Sequence, residues 1–154
     1  MYGGERRRGA PRLRRGLILL DTSGLLAAIA GSQRTNAATR LVLEGNDCPF
    51  VLSPFILAEL DYLLTRWSSA DDALALMREV ERRTYEPAQF DAEDVGRAAS
   101  VIEAYHDLGI GLADASLVVL AERLGTRRIL TLDERHFRAL RPLDGGYFVL
   151  PADA

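Results

Sequence analysis

The chain has 154 residues, 48% of them hydrophobic and 27% charged, which makes one globular domain with a sizeable core and excludes both two full-size domains and a disordered chain. Its single cysteine, Cys48, excludes a disulfide framework and any CxxC site, and because all 19 basic residues are arginine, Walker-A ATPases, Schiff-base enzymes and any chemistry needing a catalytic ammonium are excluded as well. The net charge of −3 divides into +5 over residues 1–16 and −8 over the rest, and the acidic body argues against a general nucleic-acid coat protein while leaving metal chemistry open.

Residues 1–16 read as a disordered basic arm. Arg14-Arg15 ahead of an apolar run invites a twin-arginine signal reading, but Asp21 stops the run after four residues, short of the about 7–15 that a signal core needs. No apolar run approaches the about 20 residues that cross a bilayer, so the expected location is cytoplasmic with no membrane contact.

Gly16 to Leu20 is wholly apolar, the pattern of a strand buried on both faces of a parallel sheet. Thr22 to Ala30 reads as a helix ended by Gly31, and Asn36 to Glu44 as a second, with Ala37, Ala38, Leu41 and Val42 inward. Phe50 to Leu52 is a second strand. Ser53-Pro54 then opens a helix to Trp67, serine as N-cap and proline in the first turn. Ser69 starts another, to Arg83, and Thr84 to Glu86 is a third strand. Asp91 to Asp107 is helical, with Val95, Ala98, Ala99, Ile102 and Tyr105 on one face. After the turn Gly109-Ile110-Gly111, a helix runs from Leu112 to Leu124 and ends at Gly125. Arg128 to Thr131 is a fourth strand, Glu134 to Leu140 a short helix, and Tyr147 to Leu150 a last strand. This alternation predicts an α/β fold: a three-layer α/β/α sandwich around a mostly parallel four- to five-stranded sheet.

Ligand sites in open α/β sheets lie beyond the carboxyl ends of the strands. Asp21 directly follows the first strand, Asp133 follows the fourth by one residue, and Asp114 sits in the first turn of the helix after Gly111. Each also has a structural explanation: Asp21 as N-cap of the helix from Thr22, and Asp114 and Asp133 as first-turn acids favoured by the helix dipole, with Thr131 and Glu134 at capping-box spacing. Glu59 falls within a stripe of Ile56, Leu60, Leu63 and Leu64, whereas Asp61 points elsewhere. A carboxylate on an apolar face needs a partner, because desolvating it alone costs about several kcal/mol. That partner is either an arginine or a cation shared with the three aspartates. Four clustered carboxylates repel one another unless a hard divalent cation neutralises them. Mg²⁺ takes one or two direct carboxylates and keeps its waters, which places Asp21 and Asp114 closest to it and Glu59 and Asp133 behind water or at a second ion. His106 and His136 have no zinc-ligand spacing.

Four stretches carry a resemblance: Leu20-Asp21-Thr22-Ser23, Ala58-Glu59-Leu60, Leu112-Ala113-Asp114-Ala115 and Leu130-Thr131-Leu132-Asp133. In this order on an α/β pattern they resemble the PIN-domain family, and within it the VapC-type toxins of bacterial toxin–antitoxin pairs. The resemblance covers residues 17–150 and implies a PIN-like nuclease domain there, with the arm over 1–16 before it and a tail over 151–154. It implies an endoribonuclease dependent on Mg²⁺, with Mn²⁺ as substitute, that cuts structured RNA of the translation machinery. Asp21, Glu59, Asp114 and Asp133 take the catalytic and metal-binding roles, and Ser23 and Thr131 are supporting hydroxyls. A VapB-type antitoxin and a homodimer are the implied partners. Residues 130–142, together with 58–63, are similar to actinobacterial VapC toxins that cut the sarcin–ricin loop of large-subunit rRNA; other members cut tRNAs. The arm departs from the pattern, since these toxins begin almost at the first strand.

RNA contact requires cations near the acids. Arg123, Arg127, Arg128, Arg135, Arg138 and Arg141 fall within 19 residues, and the arginine fork suits phosphate. Taken singly, each is explained better as part of a solvated face. Arg135 and His136, beside Asp133, are the leading RNA-binding residues. Phe137 is assigned to the core, and Tyr62 and Trp67 to packing within the helical hairpin 54–83, itself a seat for a partner helix. Receiver domains and haloacid-dehalogenase phosphatases both want a lysine. A structure-specific DNA nuclease shares the acidic pocket but is normally larger, and the alternative from another class is a catalytically inactive PIN-like RNA-binding or scaffold module, against which four intact acids argue.

Overall fold

The computed structural model describes residues 16–30 and 33–151. Apart from Gly16, the arm expected over 1–16 lies outside the described residues, as does the tail after Pro151. Four short strands, β1 (Ile18–Leu20), β2 (Phe50–Leu52), β3 (Glu86–Pro87) and β4 (Ile129–Leu130), form one parallel sheet in the order β3-β2-β1-β4. Around it, among the described residues, stand α1 (Thr22–Ala30), α2 (Gln33–Glu44), α3 (Pro54–Trp67), α4 (Ala70–Glu81), α5 (Ala92–Ala104), α6 (Leu112–Leu124) and α7 (Glu134–Ala139), with a single 3₁₀ turn at His106–Leu108.

The apolar run Leu17 to Leu20 is buried throughout, as a central parallel strand covered on both faces requires. In α6 every residue from Ala115 to Leu120 is buried, so this helix is a core element all round rather than an amphipathic surface one. Residue Gly24 brings α1 onto β4: a Cβ there would lie 2.4 Å from the Leu130 carbonyl oxygen. Gly24→Ala is therefore expected to destabilise the domain by roughly 1–3 kcal/mol, several degrees in Tm, because backbone rather than a yielding side chain is in the way. A thermal melt unchanged from wild type would show that α1 can lift off β4 at no cost.

The structure corrects four expectations. Residues 147–150 do not form a fifth strand; only an isolated parallel bridge joins Arg128 and Val149. On α2 the inward residue is Thr39, with Val42 and Leu43 half-buried, while Ala37 and Ala38 are exposed and Leu41 is 70% exposed. Alanines contribute too little apolar area to set a helix's rotation. The buried line of α5 is Asp94, Ala98 and Val101, with Val95 and Ala99 turned outward. Asp94 tolerates burial because it closes a capping box with Asp91 and pairs with Arg123 at 2.5 Å. Tyr62 and Trp67 do not pack the hairpin: they are 61% and 75% exposed, and the hairpin closes through Ile56, Leu60, Leu64, Ala73 and Leu76. Phe137 is core as expected, edge-on to Phe148.

Candidate active site

The register fixes the floor of the site. Leu20 pairs with Leu52 on one side and Leu130 on the other, so the residues that follow, Asp21, Ser53 and Thr131, stand level at the carboxyl edge of the sheet. The Asp21 side chain is buried, and its Oδ2 accepts hydrogen bonds from Ser23 Oγ at 2.8 Å and Thr131 Oγ1 at 2.7 Å. Each hydroxyl gives its one hydrogen to the carboxylate and takes an N–H of the following loop on its lone pair: Leu132 N–H to Ser23, Asp133 N–H to Thr131, both at 2.9 Å. Asp21 stands at the N-cap position of α1, its carbonyl accepting the Leu25 N–H at 3.1 Å, but no described backbone N–H donates to its carboxylate, which is not spent on capping. Ser23 and Thr131, the supporting hydroxyls that the resemblance implies, both donate to the Asp21 carboxylate.

Asp114 is the third residue of α6, whose N-cap, Gly111, offers no side chain. Among the described residues it makes no hydrogen bond or ion pair, and its pKa is pushed up to about 6. Burial is the largest cause, the charge of Asp21 the next; Glu59 and Asp133 add to the rise and His136 opposes it. A solvated acid serving only the helix dipole would be shifted the other way.

Glu59 corrects the reading of α3. It lies at the edge of the stripe rather than within it, on an exposed residue, while Ile56, Leu60 and Leu64 are fully buried. No described arginine pairs with it. Its pKa is nonetheless raised, by partial burial of the carboxylate and by the Asp21 charge, against a lowering by the nearby Thr22 hydroxyl. That hydroxyl is buried and makes no hydrogen bond of normal geometry. Asp133 has a structural duty as well. It is the N-cap of α7, its Oδ1 accepting the His136 N–H at 3.3 Å and its Oδ2 lying 3.0 Å from His136 Nδ1. The Thr131–Glu134 spacing does not form the cap; Asp133 and His136 do.

Ser116 escaped the sequence reading. Its Oγ donates to the Ala113 carbonyl at 2.6 Å and sits 2.7 Å from Ser53 Oγ, both side chains fully buried. Ser53, capping α3 through the Phe55 N–H, therefore ties the helix of Glu59 to the first turn of the helix of Asp114. The available signal was a serine inside the otherwise apolar run 115–121.

Arg135 is exposed on the first turn of α7 and has no ion pair or hydrogen bond among the described residues. Most of its neighbours in the arginine cluster are engaged: Arg123 with Asp94 and the Gln89 carbonyl, Arg127 with Asp144, Arg128 with Asn46, Arg138 with Glu134. The arrangement as it stands is a set of hard oxygen donors with unbalanced negative charge. Among the described residues, no three carboxylates or imidazoles form a ready-made metal cage.

A family model described as PIN domain matches residues 18–141. Ribonuclease VapC26 of Mycobacterium tuberculosis (strain ATCC 25618 / H37Rv) is 42% identical over 133 residues, 86% of this chain and 98% of that protein. Among solved structures, Mycobacterium tuberculosis VapC20, described as a sarcin–ricin loop cleaving toxin, matches with a TM-score of 0.70 over 75% of this chain and 89% of its own, at 16% identity, a likeness of fold. VapBC2 from Rickettsia felis, bound to a DNA fragment from its promoter, matches at a TM-score of 0.49 over 68% of this chain and 79% of its own, with 18% identity.

Proposed function

The chain belongs to the PIN-domain family, on its VapC-type toxin branch, and from that premise we propose that it is a metal-dependent endoribonuclease, the toxin of a VapBC-type pair. Its proposed reaction is hydrolysis of phosphodiester bonds in structured RNA of the translation machinery, the sarcin–ricin loop of large-subunit rRNA first and tRNA second. One observation carries this reading: Asp114, half-buried at the first turn of α6 with no hydrogen bond or ion pair among the described residues, has its pKa held near 6 by burial first and then by the charge of Asp21, with smaller contributions from Glu59 and Asp133. A scaffold has no use for that uncompensated charge, which destabilises the fold.

The donor set fits a hard divalent cation, Mg²⁺ with Mn²⁺ as substitute: every candidate ligand is a carboxylate oxygen, and among the described residues Asp114 has no partner to neutralise it. Asp21 and Asp114 would hold the ion, with Glu59 and Asp133 acting through water. When bound, the cation supplies Lewis-acid activation of water and neutralises charge at the scissile phosphate. The chain's own part is orientation. Ser23 and Thr131 fix Oδ2 of Asp21, and no described residue donates to Oδ1. The Ser53–Ser116 bridge holds the first turn of α6, and Arg135 with His136 meets the phosphate backbone beside Asp133.

A VapB-type antitoxin and a second copy of the chain are the proposed partners. Tyr62, Trp67, Leu74 and Met77 are exposed on α3 and α4, the chemistry that a partner helix or a second copy would cover. No described helix is long and apolar enough to cross a membrane. The test is sequencing of RNA 5′ ends after incubating purified protein with total RNA in Mg²⁺ and in EDTA. New ends at defined rRNA or tRNA positions in Mg²⁺ alone are expected; identical ends in EDTA would sink the reading.

A further inference from the structure

We propose that Arg141 and Tyr147 form a second RNA contact outside the acidic cluster, a stacking platform for an unpaired base of the strand that flanks the cut. This rests on the nuclease reading above and extends it to how the substrate is held. The Arg141 guanidinium lies over the Tyr147 ring, 3.8 Å from its centroid, and has no acid partner among the described residues. Arginine stacked this way keeps its N–H donors for phosphate or base edges. Tyr147 is 62% exposed, so its ring is open to solvent.

The platform is built rather than loose. Phe148, next in the chain, is buried against Phe137, and on the other side Asp144 pairs with Arg127 at 3.1 Å. Between them Gly145 and Gly146 both take positive φ, and a Cβ on Gly146 would strike the Arg127 guanidinium. Tyr105 Oη accepts the Arg141 backbone N–H at 3.1 Å, fixing the start of the loop. Beside it runs a groove of about 220 Å³ between α5 and the loop, lined by Ser100, Val101, Ala104, Tyr105 and Leu143 among others. Its mix of apolar walls and hydroxyls suits a flat base.

Placement links this surface to the site. Asp133 caps one end of α7, Arg141 lies two residues past the other, beyond about 9 Å of helical rise and the extended Leu140, and the Arg128–Val149 bridge sets Tyr147 toward the amino edge of the sheet, so the span from Asp133 to the platform exceeds that rise. That distance is on the scale of a few nucleotides, so a strand with its phosphate at Asp133 and Arg135 can lay a neighbouring base on Tyr147. Single strands are held this way by aromatic stacking and arginine, with little sequence preference.

The experiment measures fluorescence anisotropy of a labelled 20-nucleotide oligouridine, and of a duplex RNA of equal length, with wild type, Tyr147→Leu, Tyr147→Phe and Arg141→Ala at fixed low salt. Tyr147→Leu is expected to weaken oligouridine binding about tenfold. Tyr147→Phe keeps wild-type affinity, and Arg141→Ala weakens binding and lowers the salt slope by about one. Duplex binding changes less than twofold in the tyrosine variants, a contrast that loss of folding would not produce. Equal oligouridine affinity in wild type, Tyr147→Leu and Arg141→Ala overturns the proposal, whatever protein partner that face then proves to serve. Cleavage of rRNA by the same preparations separates the two readings. Wild type that cleaves while the variants bind and cleave equally well removes only the platform, and wild type that binds but never cleaves removes only the nuclease.

Discussion

Asp21→Asn is expected to lower RNA cleavage by about 10³-fold while leaving the fold intact, since loss of a metal-held charge is worth several kcal/mol in the transition state. The substitution is isosteric. The amide oxygen can still accept from Ser23 and Thr131, so the bonds that join α1 to the loop after β4 have a partner. What disappears is one negative charge at the floor of the site. Because that charge is the second cause of the raised Asp114 pKa, removing it should also bring Asp114 down toward its ordinary value. Circular dichroism and a thermal melt within a few degrees of wild type, beside a cleavage assay in Mg²⁺, separate chemistry from folding. Unchanged cleavage in this variant would end the catalytic assignment of Asp21 and weaken that of the whole cluster.

Asp114→Asn should show opposite effects on stability and activity. In the folded chain burial and the neighbouring acids push the pKa of this carboxyl up to about 6, against 3.8 for an unperturbed aspartate. Between those values the native state holds the proton that the unfolded chain has released, so stability falls as pH rises across that window. Above pH 6 the full penalty is present; below about 3.8 both states are protonated and it is gone. The metal-free variant, with nothing to ionise at this position, should lose this slope and melt on the order of 3 °C above wild type at pH 7.5, with the gap narrowed to roughly half at pH 5 and closed only below about 3.8. Adding Mg²⁺ should stabilise wild type and not the variant, because only the former binds it. Cleavage by the variant should fall about 10²-fold or more. Melts at pH 5 and 7.5, with EDTA and with Mg²⁺, decide the matter. Equal melting temperatures at pH 7.5 in EDTA, with an equal response to Mg²⁺, would place Asp114 outside the cluster.

Residues whose local signal agrees with their tertiary role were legible. Ser53-Pro54 opened α3, Gly125 closed α6, and the apolar stretches at 17–20, 50–52 and 129–130 marked strands, as burial on both faces of a parallel sheet requires. The same logic put Asp21 and Thr131 at strand ends, and parallel register made them neighbours. Features set by rotation or by partners were not legible. Along 147–150 exposed and buried residues alternate as in a strand, yet the backbone bonds only at one bridge, so the alternation marks an edge loop. Leu41 fits the inward line by spacing, yet Thr39 is the buried residue and Leu41 is exposed. Glu59 seemed to lie on the apolar stripe by counting alone; a rotation of one position moves it to the rim. Nothing local announces that Asp94 is buried beneath Arg123, since the partners are 29 residues apart.

Asp21 and Asp114 grow from β1 and α6, the strand at the heart of the sheet and the helix buried along its middle. Glu59 and Asp133 stand on the outer side of α3 and at the cap of a six-residue helix. Local opening is rarest where burial is deepest. Backbone deuterium uptake should therefore be slow beneath the first pair and fast beneath the second. The outer half of the set can thus breathe without loosening the inner.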